Sequence, residues 1–226
     1  MGITLKKMIL GPVGTNCYIF QNEEQKEAVV FDPGDRGDKV FEYLKEHGLK
    51  LAGVFLTHGH FDHITGVPAL LRAAKDDGQE PVLYASEDEE ELLREPVLNC
   101  SGTAMGYEDG GVSLKADVSL KDGEEVEISG LKIKCIKTPG HTEGSMSFYI
   151  PDERMLVCGD TVFEGSVGRT DLPTGSDSAL MRSISEKIAT LPDFTYILPG
   201  HGPETTVRDE REYNPWFAHP GLREQR

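Results

Sequence analysis

Residues 51–66 read LAGVFLTHGHFDHITG. LAGVFL is a continuous apolar run of strand length, the pattern of a strand buried on both faces, and GVPALLRAAKDDG, from residue 66 on, has the period of a helix packed behind it. Three of the chain's seven histidines therefore fall, with an aspartate, within six positions at the C-terminal tip of a buried strand. In open α/β sheets that edge is where ligands bind. His58 and His60 stand two apart in an extended segment, so their imidazoles share a side and converge on one cation, while Gly59 lets the backbone come close. Asp62 and His63 follow after the chain has turned, out of easy reach of the same ion, and suit a second one nearby. H-x-H-x-D-H is thus the opening half of a two-ion site.

Upstream, ITLKKMIL and NCYIFQN are β-prone, and EAVVFDPGD is a strand stopped by Asp-Pro-Gly. DRGDKVFEYLKEHG carries Val40, Phe41 and Leu44 on one helical stripe, with Gly48 as end cap. Downstream, PVLYAS is a strand and EDEEELLRE an acidic helix. Residues 95–118 have no clear period and read as a loop over the site, with Tyr107 as a lid residue. EEVEISG, LKIKCIKTPG, SMSFYIPD and RMLVCGD then suggest a meander, DSALMRSISEKIATLPD an amphipathic helix, and FTYILPGHG a strand running into His201. VVFDPGD echoes MLVCGDT, and VFLTHGH echoes YILPGHG. Two similar β-rich halves facing each other, each with outer helices, would produce that echo. No linker or low-complexity stretch interrupts the chain, so one domain is expected over residues 1–226.

Lys plus Arg total 23 against 39 Asp plus Glu, a formal charge of -16. A field of that sign repels phosphate backbones, and no basic patch relieves it, so nucleic acid is not expected as a partner. No apolar run approaches the ~18–20 residues that span a bilayer. The N-terminus has no secretory apolar core, so a cytoplasmic protein without a membrane partner is expected. Cys17, Cys100, Cys135 and Cys158 form no C-x-x-C pair and read as free thiols. Nothing in the pattern sets an oligomeric state.

Further donors recur at Gly-containing turns after β-prone runs: His141 in TPGHTEG, Asp160 in CGDTVF and His201 in LPGHG. His58, His60 and His141 for one ion, Asp62, His63 and His201 for the other, and Asp160 bridging both would complete two sites with room for water. Asp32 stands either as an acceptor that orients a ligand histidine or as a turn residue before Pro33. Thr57 and Thr142 share that ambiguity. Arg169 reads as a substrate-carboxylate anchor or as half of a structural ion pair. Cys158 lies on the strand before the turn and reads as core, His47 as a partner for helix-end carbonyls, and His219 sits in a Pro-rich tail.

THGHFDHITG, followed in order by PGHT, GD and PGHG, resembles the metallo-β-lactamase superfamily over residues of about 14 to 207. GDTVFEGSVGRTDLPTGS is similar to the segment after the bridging aspartate of glyoxalase II, and the layout resembles the short bacterial glyoxalase II-like hydrolases. The resemblance implies a four-layer αββα sandwich with two divalent ions, usually zinc, with iron or manganese as substitutes. It implies the seven positions above as ligands, with Asp160 as the bridge. The implied reaction is hydrolysis of a small-molecule acyl thioester by a metal-bridging hydroxide, with Asp62 orienting the nucleophile as well as ligating. Full-length glyoxalase II adds a C-terminal helical domain that holds glutathione. About 25 residues follow His201 here, so that domain is expected to be absent, and the acyl group and thiol carrier stay open.

Rival readings share the fold. A persulfide dioxygenase would bind one Fe(II) at the equivalents of His58, His141 and Asp160. An esterase, lactonase or β-lactamase, or an RNA-processing nuclease, would use the same ions, the nuclease against an acidic charge balance. A non-catalytic binding module would have lost ligands, and none is missing.

Overall fold

The structure is a computed structural model that describes residues 2–104 and 110–218; Tyr107 and His219 lie outside the described residues. The first half builds a sheet from β1 (Ile3–Leu10), β2 (Thr15–Asn22) and β3 (Glu27–Phe31), antiparallel and joined by short turns. Helix α1 (Gly37–Glu46) then crosses over, so β4 (Lys50–Phe55) lies parallel to β3. A single helical turn, α2 (Phe61–Ile64), and α3 (Val67–Asp76) lead to β5 (Val82–Ser86). The short helices α4 (Glu90–Arg94) and α5 (Ser101–Ala104) precede β6 (Val118–Leu120). The spatial order is β1-β2-β3-β4-β5-β6.

The second half is the expected meander of β7 (Glu125–Ile128), β8 (Leu131–Lys137), β9 (Met146–Ile150) and β10 (Met155–Gly159). A small hairpin, β11 (Val162–Phe163) with β12 (Ser166–Val167), precedes helix α6 (Asp177–Glu186). Strand β13 (Tyr196–Pro199) returns parallel to β10, followed by β14 (Thr205–Thr206), α7 (Val207–Tyr213) and α8 (Pro215–Ala218). The second sheet reads β14-β13-β10-β9-β8-β7.

Period-2 alternation explains the layering. On β2, Tyr18 and Phe20 face the second sheet while Cys17 and Ile19 face the helices. Between the sheets Phe31 lies 5.2 Å from Phe55 and 5.6 Å from Phe148 of β9, ring centre to ring centre. Val40 and Leu44 of α1 and Leu70 and Ala74 of α3 cover the outer face of the first sheet. Leu180 and Ile184 of α6 cover Leu156 and Ile197 on the second. The result is helix, sheet, sheet, helix, as expected.

Three features depart from the sequence reading. The acidic run opens as a 3-10 turn over Glu87–Glu89 before α4, and Glu89 points inward while its acidic neighbours are exposed. Residues 95–118 contain α5, and the main chain of Asn99 receives the Phe61 amide at 2.8 Å. The segment after His201 forms β14, α7 and α8, tied down by buried Glu210, which accepts from Thr205 Oγ1 at 2.6 Å. Among the described residues no helix is long and apolar enough to cross a membrane. All four cysteines are free thiols.

Candidate metal centre

The candidate donors gather at one end of the sandwich, past the C-terminal ends of β4, β10 and β13 and in the β8–β9 connection. Because β3 and β4 are parallel with Phe31 opposite Phe55, the residues that follow each strand are neighbours. Asp32 has a left-handed backbone (φ 48°), a conformation that the short polar side chains tolerate best after glycine. Its Oδ1 accepts the Thr57 amide at 2.8 Å, and its Oδ2 accepts Thr57 Oγ1 at 2.6 Å and His63 Nδ1 at 2.9 Å. One buried carboxylate thereby fixes both the start of the His58–His60 segment and the tautomer of His63. His60 is extended (φ -64°, ψ 148°), and α2 begins at Phe61, which is what swings Asp62 and His63 away from the first pair.

From the second sheet, Asp160 follows a register shift at the end of β10 and Gly159 (φ 50°). His201 follows β13, and its loop is clamped from the first sheet. The Asn16 amide donates to Gly200 O at 2.7 Å, Asn16 Nδ2 to Pro199 O and Gly202 O at 2.9 Å each, and the Tyr18 hydroxyl to Pro199 O at 2.8 Å. His141 Nδ1 donates to Arg169 O at 2.7 Å, which turns Nε2 inward.

In the cluster, His141 Nε2 lies 2.8 Å from His60 Nδ1 and 3.2 Å from His58 Nε2. On the other side, Asp62 Oδ2 lies 3.1 Å from His201 Nε2 and 3.7 Å from His63 Nε2. Asp160 stands between the groups. Its Oδ1 is 3.3 Å from His63 Nε2, and its Oδ2 is 3.6 Å from both His141 Nε2 and His201 Nε2. The sets His58/His60/His141, His58/His63/Asp160 and Asp62/His63/His201 each bring three donor atoms within 4.8 Å of one another.

These residues fit divalent cations on three observations. His141 and His63 are committed at Nδ1 to donating, so their Nε2 lone pairs face other acceptors, an arrangement that a cation relieves. His63 Nε2 and Asp160 Oδ1, which face each other in the cluster, are buried without a hydrogen-bond partner among the described residues, which is rare unless something else satisfies them. Burial, then the neighbouring imidazoles, pushes His58 well below its ordinary pKa, and burial with His141 pushes His60 down to about 3. Both are neutral lone-pair donors at pH 7. Burial opposes charge on His63 too, but Asp62, Asp32 and Asp160 outweigh it and raise its pKa, so a proton stands where a cation would compete for the same lone pair.

His60, Asp62, His141, Asp160 and His201 line the floor of a cavity of about 400 Å³, with Val13, Phe61, Cys100, Arg169 and Leu172 on its walls. A larger concavity of about 550 Å³ lies at the opposite end, near the starts of β3 and β4. Lys45 pairs there with Asp77 and Gln79 accepts the Leu51 amide, and none of the cluster donors lines it. A methyl group on Gly200 would overlap Asp160 Oδ1 and His63 Cε1. Gly200→Ala is therefore expected to weaken metal binding on the order of 10–100-fold, the usual cost of disturbing groups behind metal ligands, as read by competition with a chromophoric chelator.

All seven candidate donors and Asp32 meet here; Arg169 follows the ion-pair reading and adds a main-chain contact to it. Its guanidinium pairs with Asp171 through two contacts of 2.7 Å, and its carbonyl orients His141. Thr57 Oγ1 lies between Asp32 and His58 Nδ1, whereas Thr142 reaches Glu89. Cys158 is buried against the carbonyls of Val162 and Leu198, and His47 Nδ1 lies 2.8 Å from Tyr43 O. Sequence reading missed Thr15, whose hydroxyl donates to Asp62 Oδ2 at 2.9 Å, and also Asn16, Gly200 and Glu89. Only Gly200, inside LPGHG, carried a local signal.

Comparison with known proteins places this geometry in context. The model of the metallo-beta-lactamase superfamily matches residues 10–201. The "Probable metallo-hydrolase YqgX" of Bacillus subtilis (strain 168) is 39% identical over 213 residues, 94% of this chain and 96% of that protein. "Hydroxyacylglutathione hydrolase GloC" of Haemophilus influenzae is 30% identical over 202 residues, 89% and 92% of the two chains. Among solved structures, BLEG-1 B3 metallo-beta-lactamase superposes with a TM-score of 0.86 at 37% identity, covering 95% of this chain and 99% of the other. TTHA1623 in a di-iron-bound form gives 0.77 at 31% identity, covering 93% and 99%.

Proposed function

The chain belongs to the metallo-β-lactamase superfamily, and on that premise we propose that it is a metal-dependent hydrolase that cleaves a small acyl thioester at a pair of divalent cations, zinc in the first instance. The observation that carries the reading is the convergence of seven donors, three of them on each side of Asp160, with five of the seven lining the floor of one cavity. His58, His60 and His141 would hold one ion, Asp62, His63 and His201 the other, with Asp160 in reach of both. When bound, such ions lower the pKa of coordinated water from 15.7 to about 7 and polarise a carbonyl oxygen.

The protein's own groups do the rest. The Thr15 hydroxyl holds Asp62 at the cavity floor, where the carboxylate orients the attacking water. Asp32 and the Arg169 carbonyl keep His63 and His141 in the tautomer that presents Nε2. A thiolate is stable enough to depart without a general acid, so the cavity floor need not supply one. Val13, Phe61, Cys100 and Leu172 give the walls an apolar character, and the Arg169 guanidinium is already engaged by Asp171, which favours an uncharged acyl group. The likeness to GloC supports the thioester, and the formal charge of -16 speaks against nucleic acid. Four unpaired thiols fit a reducing compartment, the cytoplasm.

Metal analysis of the purified protein, with turnover of hydroxyacyl thioesters of glutathione, coenzyme A and a small thiol, tests the proposal. About two zinc ions per chain and hydrolysis of at least one thioester are expected. One iron per chain with oxygen uptake on a glutathione persulfide would overturn it in favour of a dioxygenase. Turnover of a chromogenic cephalosporin alone would favour a β-lactamase, the second reading that the likeness to BLEG-1 motivates.

A further inference from the structure

We propose that Glu89 is a positioning residue for the three-histidine half of the centre, clamping the loop that carries His58 and His60 to the loop that carries His141. The inference rests on the two-ion reading above and adds a residue to it.

Glu89 is 2% exposed, although Glu87, Asp88, Glu90 and Glu91 around it are exposed. The 3-10 turn that carries it begins at Ser86, whose hydroxyl caps the Asp88 amide, and Leu93 packs against Gly59. Glu89 Oε1 accepts the Gly59 amide at 2.8 Å, the peptide between His58 and His60. Glu89 Oε2 accepts Thr142 Oγ1 at 3.1 Å, next to His141, and the Gly144 amide donates to the same carboxylate. A hydroxyl has one proton to give. Because Thr142 gives its proton to Glu89, the 2.7 Å contact with Ser145 makes Ser145 the donor, and Ser145 Oγ in turn accepts the Thr142 amide at 3.1 Å. Gly144 admits no side chain, since a methyl group there would overlap Glu89.

Every partner of Glu89 is therefore a neutral donor. No lysine, arginine or histidine among the described residues forms an ion pair with it. With no cation beside it, burial pushes the Glu89 carboxyl up to about 7, so its part in the site is carried by the hydrogen bonds that tie the two loops together. An amide at position 89 would turn its NH2 toward one of the three donors and lose that hydrogen bond.

The test is zinc affinity of each ion in the purified enzyme, by competition with a chromophoric chelator. Cobalt(II) spectra distinguish the nitrogen-rich site from the carboxylate-containing one. Glu89→Gln is expected to weaken the three-histidine ion about 10–100-fold and to leave the other unchanged. Thr142→Val, which removes one donor and keeps the volume, is expected to weaken the same ion less, and it serves if the Gln variant fails to fold by circular dichroism. In a wild type that holds two ions, unchanged affinities, or equal losses at both ions, would overturn the role of Glu89. A wild type that holds fewer than two ions overturns the two-ion reading itself, before any variant is made.

Discussion

Asp160→Asn is expected to lower kcat/KM for the thioester on the order of 10³-fold while the chain still folds. Asparagine has nearly the same shape, so the packing around the end of β10 has no reason to change. What changes is charge at the one carboxylate that reaches both groups, 3.3 Å from His63 Nε2 and 3.6 Å from His141 Nε2 and His201 Nε2. An amide offers one oxygen, and it turns two hydrogens toward whichever cation its nitrogen faces. A metal ion contributes several kcal/mol to the stabilisation of developing negative charge, and each 1.36 kcal/mol is a factor of ten, so losing one ion's contribution accounts for about 10³. Metal content should fall below two per chain in the same sample, with the circular dichroism unchanged. A variant that keeps both ions and its activity would remove Asp160 from the bridging position.

The legible part of this molecule was local. His58 and His60 share a side because they are two apart on an extended segment, and the turn of α2 separates Asp62 and His63 from them. That geometry depends on fewer than ten residues, all adjacent. The fold was readable for a similar reason: LAGVFL and AVVF are short continuous apolar runs ended by turn signals, the pattern of strands covered on both faces. The groups that stayed hidden act across the fold. Thr15 meets Asp62 47 positions away, and Asn16 meets Gly202 186 positions away. Glu89 lies in a run of five consecutive acids read as part of an acidic helix, and nothing in EDEEEL marks which acid turns inward. Arg169 shows a different limit: its ion pair was legible from the side chain, but the contact that orients His141 is made by its carbonyl, which a side-chain reading does not weigh. The hairpin Val162–Val167 and strand Thr205–Thr206 are too short to carry a period.

Exhaustive chelation is expected to abolish hydrolysis and to lower the melting temperature, with zinc restoring both. A ligand that binds only the native state stabilises it by about 4.1 kcal/mol at a thousand times its Kd, and 1 kcal/mol is worth roughly 2–4 °C for a chain of this size. Each ion held that tightly would add about 8–16 °C by the same relations. Part of this is offset, because the stripped site is not left with bare repulsion: the carboxylates of Asp62, Asp32 and Asp160 raise His63 and let it hold a proton in place of the cation. The offset has a sign with pH. A histidine whose folded pKa is raised stabilises the native state below its unfolded pKa and loses that contribution as pH rises through the folded value. The chelated protein therefore gains from His63 at acidic pH and loses the gain at alkaline pH, while the loaded protein has no proton there to lose. The gap in melting temperature between the two should widen from pH 6 to pH 9. Differential scanning calorimetry across that range reads it directly. A gap that narrows toward alkaline pH would mean that His63 does not exchange its proton for a cation, and activity that survives chelation would mean that no cation takes part.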